Sequence, residues 1–206
     1  MKVVVTATDG QWTELTGSPC EINWLRVEDA SEFASQHDAT AFMNLEEPMI
    51  KSFYAALNRP VLINSVTHTL SEMKAPENVW RINGWAGFLR RPEWEIAGRN
   101  AGSMSALFGS INKKINPVAD EPGFIAARII AMIINEAYFA LGQGVSGKAE
   151  IDTAMKLGTN YPYGPFEWAA NIGRKNILGL LQQLNLTDKR YQPAPGLLEE
   201  AMEEKS

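Results

Sequence analysis

The pattern of apolar residues changes near residue 118, and this change constrains the fold more than any other feature of the chain. Before it, short runs rich in β-branched residues are separated by turns, which is typical of strands. After it, apolar residues recur at the longer spacing of helices. The sequence therefore predicts an α/β domain over residues 1–118, followed by an all-helical domain over residues 119–206.

The first domain is predicted to contain a parallel sheet. Its opening run, Lys2 to Ala7, has the β-branched density of a strand buried on both faces. Glu46 to Asn58 lies between two strand candidates, with Pro48 suited to a first helical turn, so a strand, helix and strand are expected there in succession. A second helix is expected over Ser103 to Ile115. The other strand candidates are Ile22–Val27, Ala39–Leu45, Pro60–Val66 and Trp94–Ala97.

The second domain begins at a turn, because Pro122 and Gly123 cannot continue a regular element. From Phe124 to Leu141 the residues are apolar nearly all round the expected helix. A helix on the surface of its domain shows only an apolar stripe. This helix is therefore predicted to be central to its domain or buried against a second copy of the chain. Pro165 is predicted to begin a later helix, after the aromatic turn Tyr161–Pro165.

The composition excludes several classes of function. A formal net charge of −5 and a pI near 5.2 provide no general basic face for phosphates, so we expect no nucleic-acid partner. The single cysteine, Cys20, cannot form an internal disulfide. The first residues lack an apolar stretch long enough for a signal peptide or a membrane span. These features predict a reduced, cytoplasmic protein with no membrane partner.

Five segments of the second domain carry a resemblance to a known family. They are DEPGFIAARI, NEAYFALGQGV, EIDTAMKLG, YPYGPFEWA and RYQPAPGLLEEA, and they follow one another between Asp120 and Met202. In order and spacing they resemble the C-terminal helical domain of the L-3-hydroxyacyl-CoA dehydrogenases. Upstream, FYAALNRPVLINSVTHTL and WEIAG resemble the later part of that family's dinucleotide-binding domain. The resemblance implies a truncated Rossmann-like parallel sheet domain, a helical domain that supplies a homodimer interface, and NAD as the cofactor of the parent family.

The cofactor fingerprint that this resemblance implies is missing. Dinucleotide binding needs GxGxxG directly after the first strand, because glycines let the backbone and a helix N-terminus approach the pyrophosphate. This chain has only Gly10 and Gly17 there, with the bulky Trp12 between them. Only residues 28–38 separate the second and third strand candidates, which leaves no room for the long helical segment of the family. We therefore expect a shortened domain that binds no cofactor, and we predict no metal site.

The proton-transfer pair of the family is only half present. The family uses a histidine, oriented by a glutamate in the following strand, to take the substrate hydroxyl proton as hydride leaves. Glu95 matches the glutamate, whereas the histidine position falls on Asn83 or Gly84. An amide does not titrate near neutral pH. The two histidines of the chain, His37 and His68, lie elsewhere, so the resemblance predicts a remnant of the site.

Other positions are candidate remnants of that site. Ser65 falls close to the serine that contacts substrate in the family, and His68 is conceivable as a substitute base, although loop histidines are common without a role. Glu46 and Lys51 roughly match an acidic and a basic position near the family's cofactor, but such pairs also occur on plain surface helices. The candidates for CoA or substrate contact are Arg90, Arg91, Phe124 and Arg128.

Two functions remain open from the sequence. In the first, the chain is a compact relative that binds an acyl-CoA-like small molecule in fatty-acid metabolism, while NAD-dependent oxidation of 3-hydroxyacyl-CoA is lost or much reduced. In the second, it is a non-catalytic dimerising module that keeps the fold for assembly with a partner. Fold alone does not decide between them, because function depends on the residues of the site.

Overall fold

The computed structural model describes residues 1–46, 49–100 and 104–204. The chain divides into two compact units, Met1–Phe124 and Ile125–Ser206, whereas the sequence predicts a boundary after residue 118. Pro48, in the first turn of one expected helix, lies outside the described residues. So does Ser103, the first residue of the other expected helix.

The first unit is built on a sheet that is parallel over most of its width. Its strands are β1 Lys2–Thr6, β2 Asn23–Arg26, β3 Ala41–Asn44, β4 Val61–Asn64, β5 Val79–Ile82, β6 Glu93–Ala97 and β7 Lys114–Pro117. They lie in the order β2-β1-β3-β4-β5-β6-β7, and neighbours run parallel except β5 and β6. All five predicted strands are confirmed, and so is the α/β class of this unit.

The helix expected over Glu46–Asn58 is wrong over its described part, where a short 3-10 turn replaces it. Met49 is 61% exposed, whereas Tyr54 is fully buried. The Tyr54 hydroxyl accepts a hydrogen bond of 2.8 Å from Asn44 Nδ2, so a tertiary contact decides the conformation of this segment. The helical elements of the unit are α1 Asp9–Thr16, α2 Ser105–Ser110 and 3-10 turns at Ala30–Ser35 and Tyr54–Leu57.

The sequence does not predict β5 or β7. The charge of Arg81 interrupts the apolar run of β5, yet this side chain is fully buried. The helix expected over Ser103–Ile115 is wrong in its second half, because α2 ends and Asn112 adopts a left-handed backbone conformation with φ of 55°. The chain then turns into β7, which pairs with β6.

Apolar layers cover both faces of the sheet, as parallel strands require. On one face, residues of α1 and α2 pack with Val3, Met43 and Ile82. On the other face, the 3-10 turns pack with Val4 and Phe42. Because β1, β3, β4 and β5 are parallel, their carboxyl ends lie along one edge of the sheet.

The second unit is all-helical over its described residues. Its helices are α3 Ala126–Gly142, α4 Lys148–Thr159, α5 Pro165–Ile172, α6 Arg174–Asn185 and α7 Pro195–Glu203, with a 3-10 turn at Lys189–Tyr191. α3 contacts α5, α6 and α7, so the prediction of a central helix is confirmed. Pro165 begins α5 as predicted, and the Asp152 carboxylate accepts the N–H of Phe166 there over 2.8 Å. Across the described ranges, the helices all fall short of the length and hydropathy of a membrane span.

α3 is not covered all round by the chain itself. Ile130, Ile134 and Tyr138 are at most 6% exposed, whereas Ile125 and Ile129, at its N-terminal end, are each 52% exposed. Within a single chain the helix therefore buries one face and leaves part of an apolar face in contact with solvent. Burial of that second face against another copy of the chain stays a prediction.

Candidate functional site

The sheet order reverses at β1. β2 lies on one side of β1 and β3 on the other, so the connections from these strands lead in opposite directions. In open parallel sheets, ligands bind at such a switch point, outside the carboxyl ends of the strands. The site is therefore expected where the turn from β1 to α1 meets the ends of β3, β4 and β5.

The N-terminus of α1 is closed by side chains of its own turn. The Thr8 hydroxyl accepts the N–H of Gln11 over 3.3 Å, and Gln11 Oε1 accepts the N–H of Thr8 over 3.0 Å. Asp9 adds a carboxylate to the first turn. A helix N-terminus binds an anion through its unpaired N–H groups and its partial positive charge. Here the cap already pairs some of these N–H groups, and Asp9 supplies a negative charge that repels an anion. The turn therefore disfavours a pyrophosphate.

The Gln11 amide crosses the carboxyl edge of the sheet. Its Nε2 donates to the carbonyl of Leu45, after β3, over 2.8 Å and to the carbonyl of Gly84, after β5, over 3.1 Å. Asn64, at the end of β4, ties the same two residues, because its Nδ2 donates to Leu45 and its Oδ1 accepts from the N–H of Gly84. The protein's own side chains thus bridge the edge along which a dinucleotide binds in such folds.

Arg26 closes the side of the turn that faces β2. It donates to the Asp9 carboxylate over 2.7 Å and to the Ala7 carbonyl over 2.6 Å, and its guanidinium lies 5.9 Å from the ring centre of Trp12. In dinucleotide folds this region supplies an acidic residue for the ribose, or an arginine for the 2′-phosphate of NADP. The guanidinium here is already paired within the turn. The residues present therefore do not fit a dinucleotide in the manner of the parent family.

A cavity of about 290 Å³ lies beside Glu95. Asn83, which follows β5, and Asn116, the β7 partner of Glu95, also line it. Asn83 is 7% exposed; its Oδ1 accepts the N–H of Trp85 over 3.1 Å, and its Nδ2 is buried with no hydrogen-bond partner among the described residues. The structure thus brings Glu95 and Asn83 to one cavity.

Arg90 and Arg91, in the loop between β5 and β6, have different surroundings. Arg90 pairs with Glu14 Oε1 over 3.1 Å, and the N–H of Gly87 donates to the same oxygen over 2.6 Å. Arg91 lies over the ring of Phe88, 4.3 Å from its centre, and lines the cavity. Of the two arginines, Arg91 is therefore the one placed to meet a ligand in that cavity.

Sequence reasoning missed a fully buried arginine in β5, the strand that Asn83 follows. Arg81 donates to Asp120 Oδ1 over 2.5 Å and to the carbonyls of Ser65 and Glu121 over 2.8 and 3.2 Å, and it lies 4.7 Å from the ring centre of Phe124. Burial lowers the pKa of Arg81, while the bond to Asp120 acts to raise it. The signal that could have revealed the pair is a charged residue within an apolar strand, together with an acidic residue just before the boundary turn.

Ser65 and His68 lie together but not at this cavity. Ser65 is fully buried; its hydroxyl donates to the His68 carbonyl over 2.9 Å and lies 3.7 Å from Met73 Sδ. The His68 ring is half exposed, with Nδ1 4.0 Å from the Glu72 carboxylate. Neither residue lines the cavity beside Glu95, and their proposed roles stay predictions.

The remaining candidates are dispersed. Glu46 is exposed and Lys51 half-buried in the connection from β3 to β4. Phe124 is 5% exposed with φ of 50°, and its ring lies beneath the guanidinium described above. Arg128 is half-buried near the start of α3. None of these four lines the cavity beside Glu95, so their contacts with cofactor or substrate also stay predictions.

A charged cluster organises the helical unit. Glu200 accepts from the Tyr138 hydroxyl over 2.8 Å, from Arg174 Nε over 3.0 Å and from Lys148 Nζ over 2.5 Å. Burial, with a further contribution from Glu200, raises the pKa of Tyr138 to about 12. The cluster links α3, α4, α6 and α7, so its role is structural.

Comparison with known proteins identifies relatives of this chain. A family model described as the 3-hydroxyacyl-CoA dehydrogenase C-terminal domain matches residues 123–206. The 3-hydroxyadipyl-CoA dehydrogenase of Escherichia coli (strain K12) is 47% identical over 92 residues, 44% of this chain and 19% of that protein. The 3-hydroxybutyryl-CoA dehydrogenase of Clostridioides difficile is 32% identical over 142 residues, 64% of this chain and 50% of that protein. The chain thus spans half or less of the length of these curated relatives.

A solved structure extends the similarity to the fold. The crystal structure of (S)-3-hydroxybutyryl-CoA dehydrogenase from Ralstonia eutropha matches 98% of this chain and 93% of that chain, with a TM-score of 0.72 and 17% identity. At this identity the match establishes fold alone, and it includes residues of both units. Residues 123–206 thus match the C-terminal domain of the 3-hydroxyacyl-CoA dehydrogenases, and the chain as a whole, a Rossmann-like parallel sheet followed by helices, is similar in fold to a solved 3-hydroxybutyryl-CoA dehydrogenase.

Proposed function

We propose that this protein binds an acyl-CoA thioester in fatty-acid metabolism, with NAD-dependent oxidation of 3-hydroxyacyl-CoA lost or much reduced. The observation that carries the proposal is the cavity shared by Asn83 and Glu95. The resemblance aligns Glu95 with the family's glutamate and either Asn83 or Gly84 with its histidine. The names of the relatives, 3-hydroxyadipyl-CoA and 3-hydroxybutyryl-CoA dehydrogenase, support a CoA thioester as the ligand.

Loss of oxidation follows from the chemistry of the amide. Oxidation of an alcohol by NAD requires a base that takes the hydroxyl proton as hydride leaves, and such a base contributes about 10²–10⁴ in rate. The Asn83 side chain cannot accept that proton. The bridge from Gln11 to Leu45 and Gly84 supports the same conclusion, because it crosses the edge on which a dinucleotide would bind.

Recognition of CoA is assigned to the loop between β5 and β6. Arginine binds phosphate through charge-assisted, often bidentate hydrogen bonds. Arg91 lines the cavity, and Arg90 has a 61% exposed side chain that can leave Glu14 to meet a phosphate. These two residues supply positive charge on a chain whose net charge is −5.

A thermal-shift screen with NAD, NADP, CoA and acetoacetyl-CoA tests the binding proposal. A ligand that binds only the folded state raises its apparent stability, by about 2.7 kcal/mol at one hundred times its Kd. We expect a rise in Tm with acetoacetyl-CoA and none with NAD. Micromolar affinity for NAD in calorimetry would contradict the reading of the first turn.

An assay of acetoacetyl-CoA reduction, followed by NADH absorbance, tests the loss of catalysis. We expect no turnover above background for the native chain, or for His68→Ala and Glu95→Gln. Robust turnover that disappears in either variant would show that the chain has rebuilt a catalytic site, with His68 as the alternative base.

A second candidate is a non-catalytic dimerising module. The 52% exposure of both Ile125 and Ile129 favours it, because a large apolar side chain at two successive turns suits an interface between copies. Light scattering at micromolar concentration is expected to give a dimer that Ile129→Glu disrupts. Leu186→Glu, a change at a 75% exposed leucine elsewhere, serves as the control. A dimer without any acyl-CoA binding would favour this candidate over the first.

A further inference from the structure

The buried amide of Asn83 is oriented by its surroundings. Its Oδ1 is engaged by the N–H of Trp85, and the next peptide is held because the N–H of Gly84 donates to Asn64 Oδ1 over 2.9 Å. Its Nδ2 has no partner among the described residues although the side chain is more than nine-tenths buried. A buried donor without a partner is costly, so native proteins keep one where a ligand or water completes it. Asn83 is among the residues that line the cavity.

A carboxylate lies on the wall of the same cavity. Glu95 is half-buried, in the strand next to the one that Asn83 follows, and it pairs with Asn116 in register. Glu93 projects from the same face of β6 two residues earlier, but it is exposed. A half-buried carboxylate and an amide donor on one cavity can together remove a proton next to a carbonyl: the carboxylate takes the proton and the donor stabilises the oxygen that becomes negative.

We propose that this cavity catalyses redox-neutral proton exchange at C2 of a 3-oxoacyl thioester, with Glu95 as the base and Asn83 Nδ2 as the donor to the enolate oxygen. This rests on the proposed acyl-CoA binding and adds an activity to it. The C2–H bond breaks and a Glu95 O–H bond forms, while the electron pair moves into the C1–C2 bond and the negative charge moves to the carbonyl oxygen. The proton on Glu95 exchanges with solvent, and a solvent proton returns to C2. The step needs no oxidant and no nucleotide.

Deuterium incorporation into acetoacetyl-CoA in D₂O, measured by mass spectrometry after quenching, tests the proposal. We expect the protein to accelerate exchange over protein-free buffer. Glu95→Gln should remove about 10²–10⁴ of the protein-dependent rate. Asn83→Asp, which keeps an acceptor for Trp85 but loses the amide donor, should remove about 10²–10³.

Glu93→Gln is the matched control, because it removes the same charge from the same wall. An equal loss of exchange in Glu93→Gln and Glu95→Gln would overturn the assignment of the base, as would exchange that survives Glu95→Gln. Calorimetry with acetoacetyl-CoA separates a failure of ligand binding from a failure of proton exchange. Binding without exchange overturns only the proton-transfer proposal, whereas absence of binding overturns the proposed function and this proposal together. Melting temperatures of the variants close to the native value establish that each one folds.

Discussion

The two units of this chain retain different features of their relatives. The helical unit keeps the family's sequence pattern, since the family model matches residues 123–206. The sheet unit keeps the fold, because the Ralstonia eutropha structure matches over 98% of the chain at only 17% identity. Between its first strand and first helix, however, the glycine fingerprint is absent. A parallel sheet requires apolar strands, whereas cofactor chemistry requires particular residues at the strand ends, and the second can change while the first persists.

The units also differ in how an internal amide is used. Asn83 in the first unit leaves its Nδ2 without a partner among the described residues. Asn135 in the second unit is satisfied at both atoms, because Nδ2 donates to the Gln192 carbonyl over 2.9 Å and Oδ1 accepts the N–H of Ala194 over 2.8 Å. Complete pairing is what a structural amide needs, whereas an incompletely paired amide at a cavity suits a ligand.

The largest effect is expected from Asp120→Asn. This change leaves the fully buried Arg81 guanidinium without its carboxylate, and breaking a buried pair costs about 3–5 kcal/mol. Urea denaturation at neutral pH measures the loss of unfolding free energy. Glu77→Gln, in an exposed ion pair with Arg99, is the control and is expected to change stability by less than about 0.5 kcal/mol. A cost below 1 kcal/mol for Asp120→Asn would show that the sheet unit does not depend on this pair.

A paired comparison of Asn135→Ala with Asn83→Ala sharpens the contrast between the two amides. Removing the Asn135 amide leaves the Gln192 carbonyl and the buried Ala194 N–H without a partner. This should lower the unfolding free energy by about 1–3 kcal/mol. Removing Asn83 leaves only the N–H of Trp85 without its partner and also eliminates an unpaired donor, so its cost should be smaller than that of Asn135→Ala. The same denaturation experiment measures both. Equal costs would contradict the distinction drawn between a structural and a ligand-facing amide.

A pH-dependent effect is expected in the helical unit. The pKa of Tyr138 is raised from 10.0 to about 12, so the folded state favours the protonated phenol. Stability from this group is therefore complete below pH 10 and is lost as the pH rises toward 12. Chemical denaturation across this window should show a steeper decline for the native chain than for Tyr138→Phe. Parallel declines in the two proteins would exclude Tyr138 as the source.

The smallest effect is expected from restoring a ring at the site. Asn83→His places a titratable base where the resemblance locates one, but Gln11 still bridges the strand ends and Asp9 still occupies the first turn of α1. We therefore expect NADH-linked reduction of acetoacetyl-CoA to stay at background. Measurable turnover would break the comparison, because it would show that the sheet unit lacks only the base.

Much of this architecture could be predicted because it is encoded locally. The β-branched density of Lys2–Thr6 and the apolar spacing of Ala126–Gly142 identify a buried strand and a central helix without reference to any other segment. The same holds for one chemical conclusion. His37 and His68 are the only histidines in the chain, so the residue after β5 is not a histidine.

The rest was decided by contacts between residues that are distant in sequence. Local sequence patterns indicate which side chains are apolar, but they do not indicate which residue a charged side chain pairs with. Arg81 can be buried in a strand because it forms an ion pair with Asp120, 39 positions later in the sequence. Gln11 bridges the strand ends because Gly84, 73 positions away, offers its carbonyl. The sequence by itself determined the two-part class, most strands and the absence of a histidine after β5. Only the tertiary structure decided that Gln11 bridges the carboxyl edge of the sheet and that Asn83 and Glu95 share a cavity, because burial and pairing depend on the whole chain.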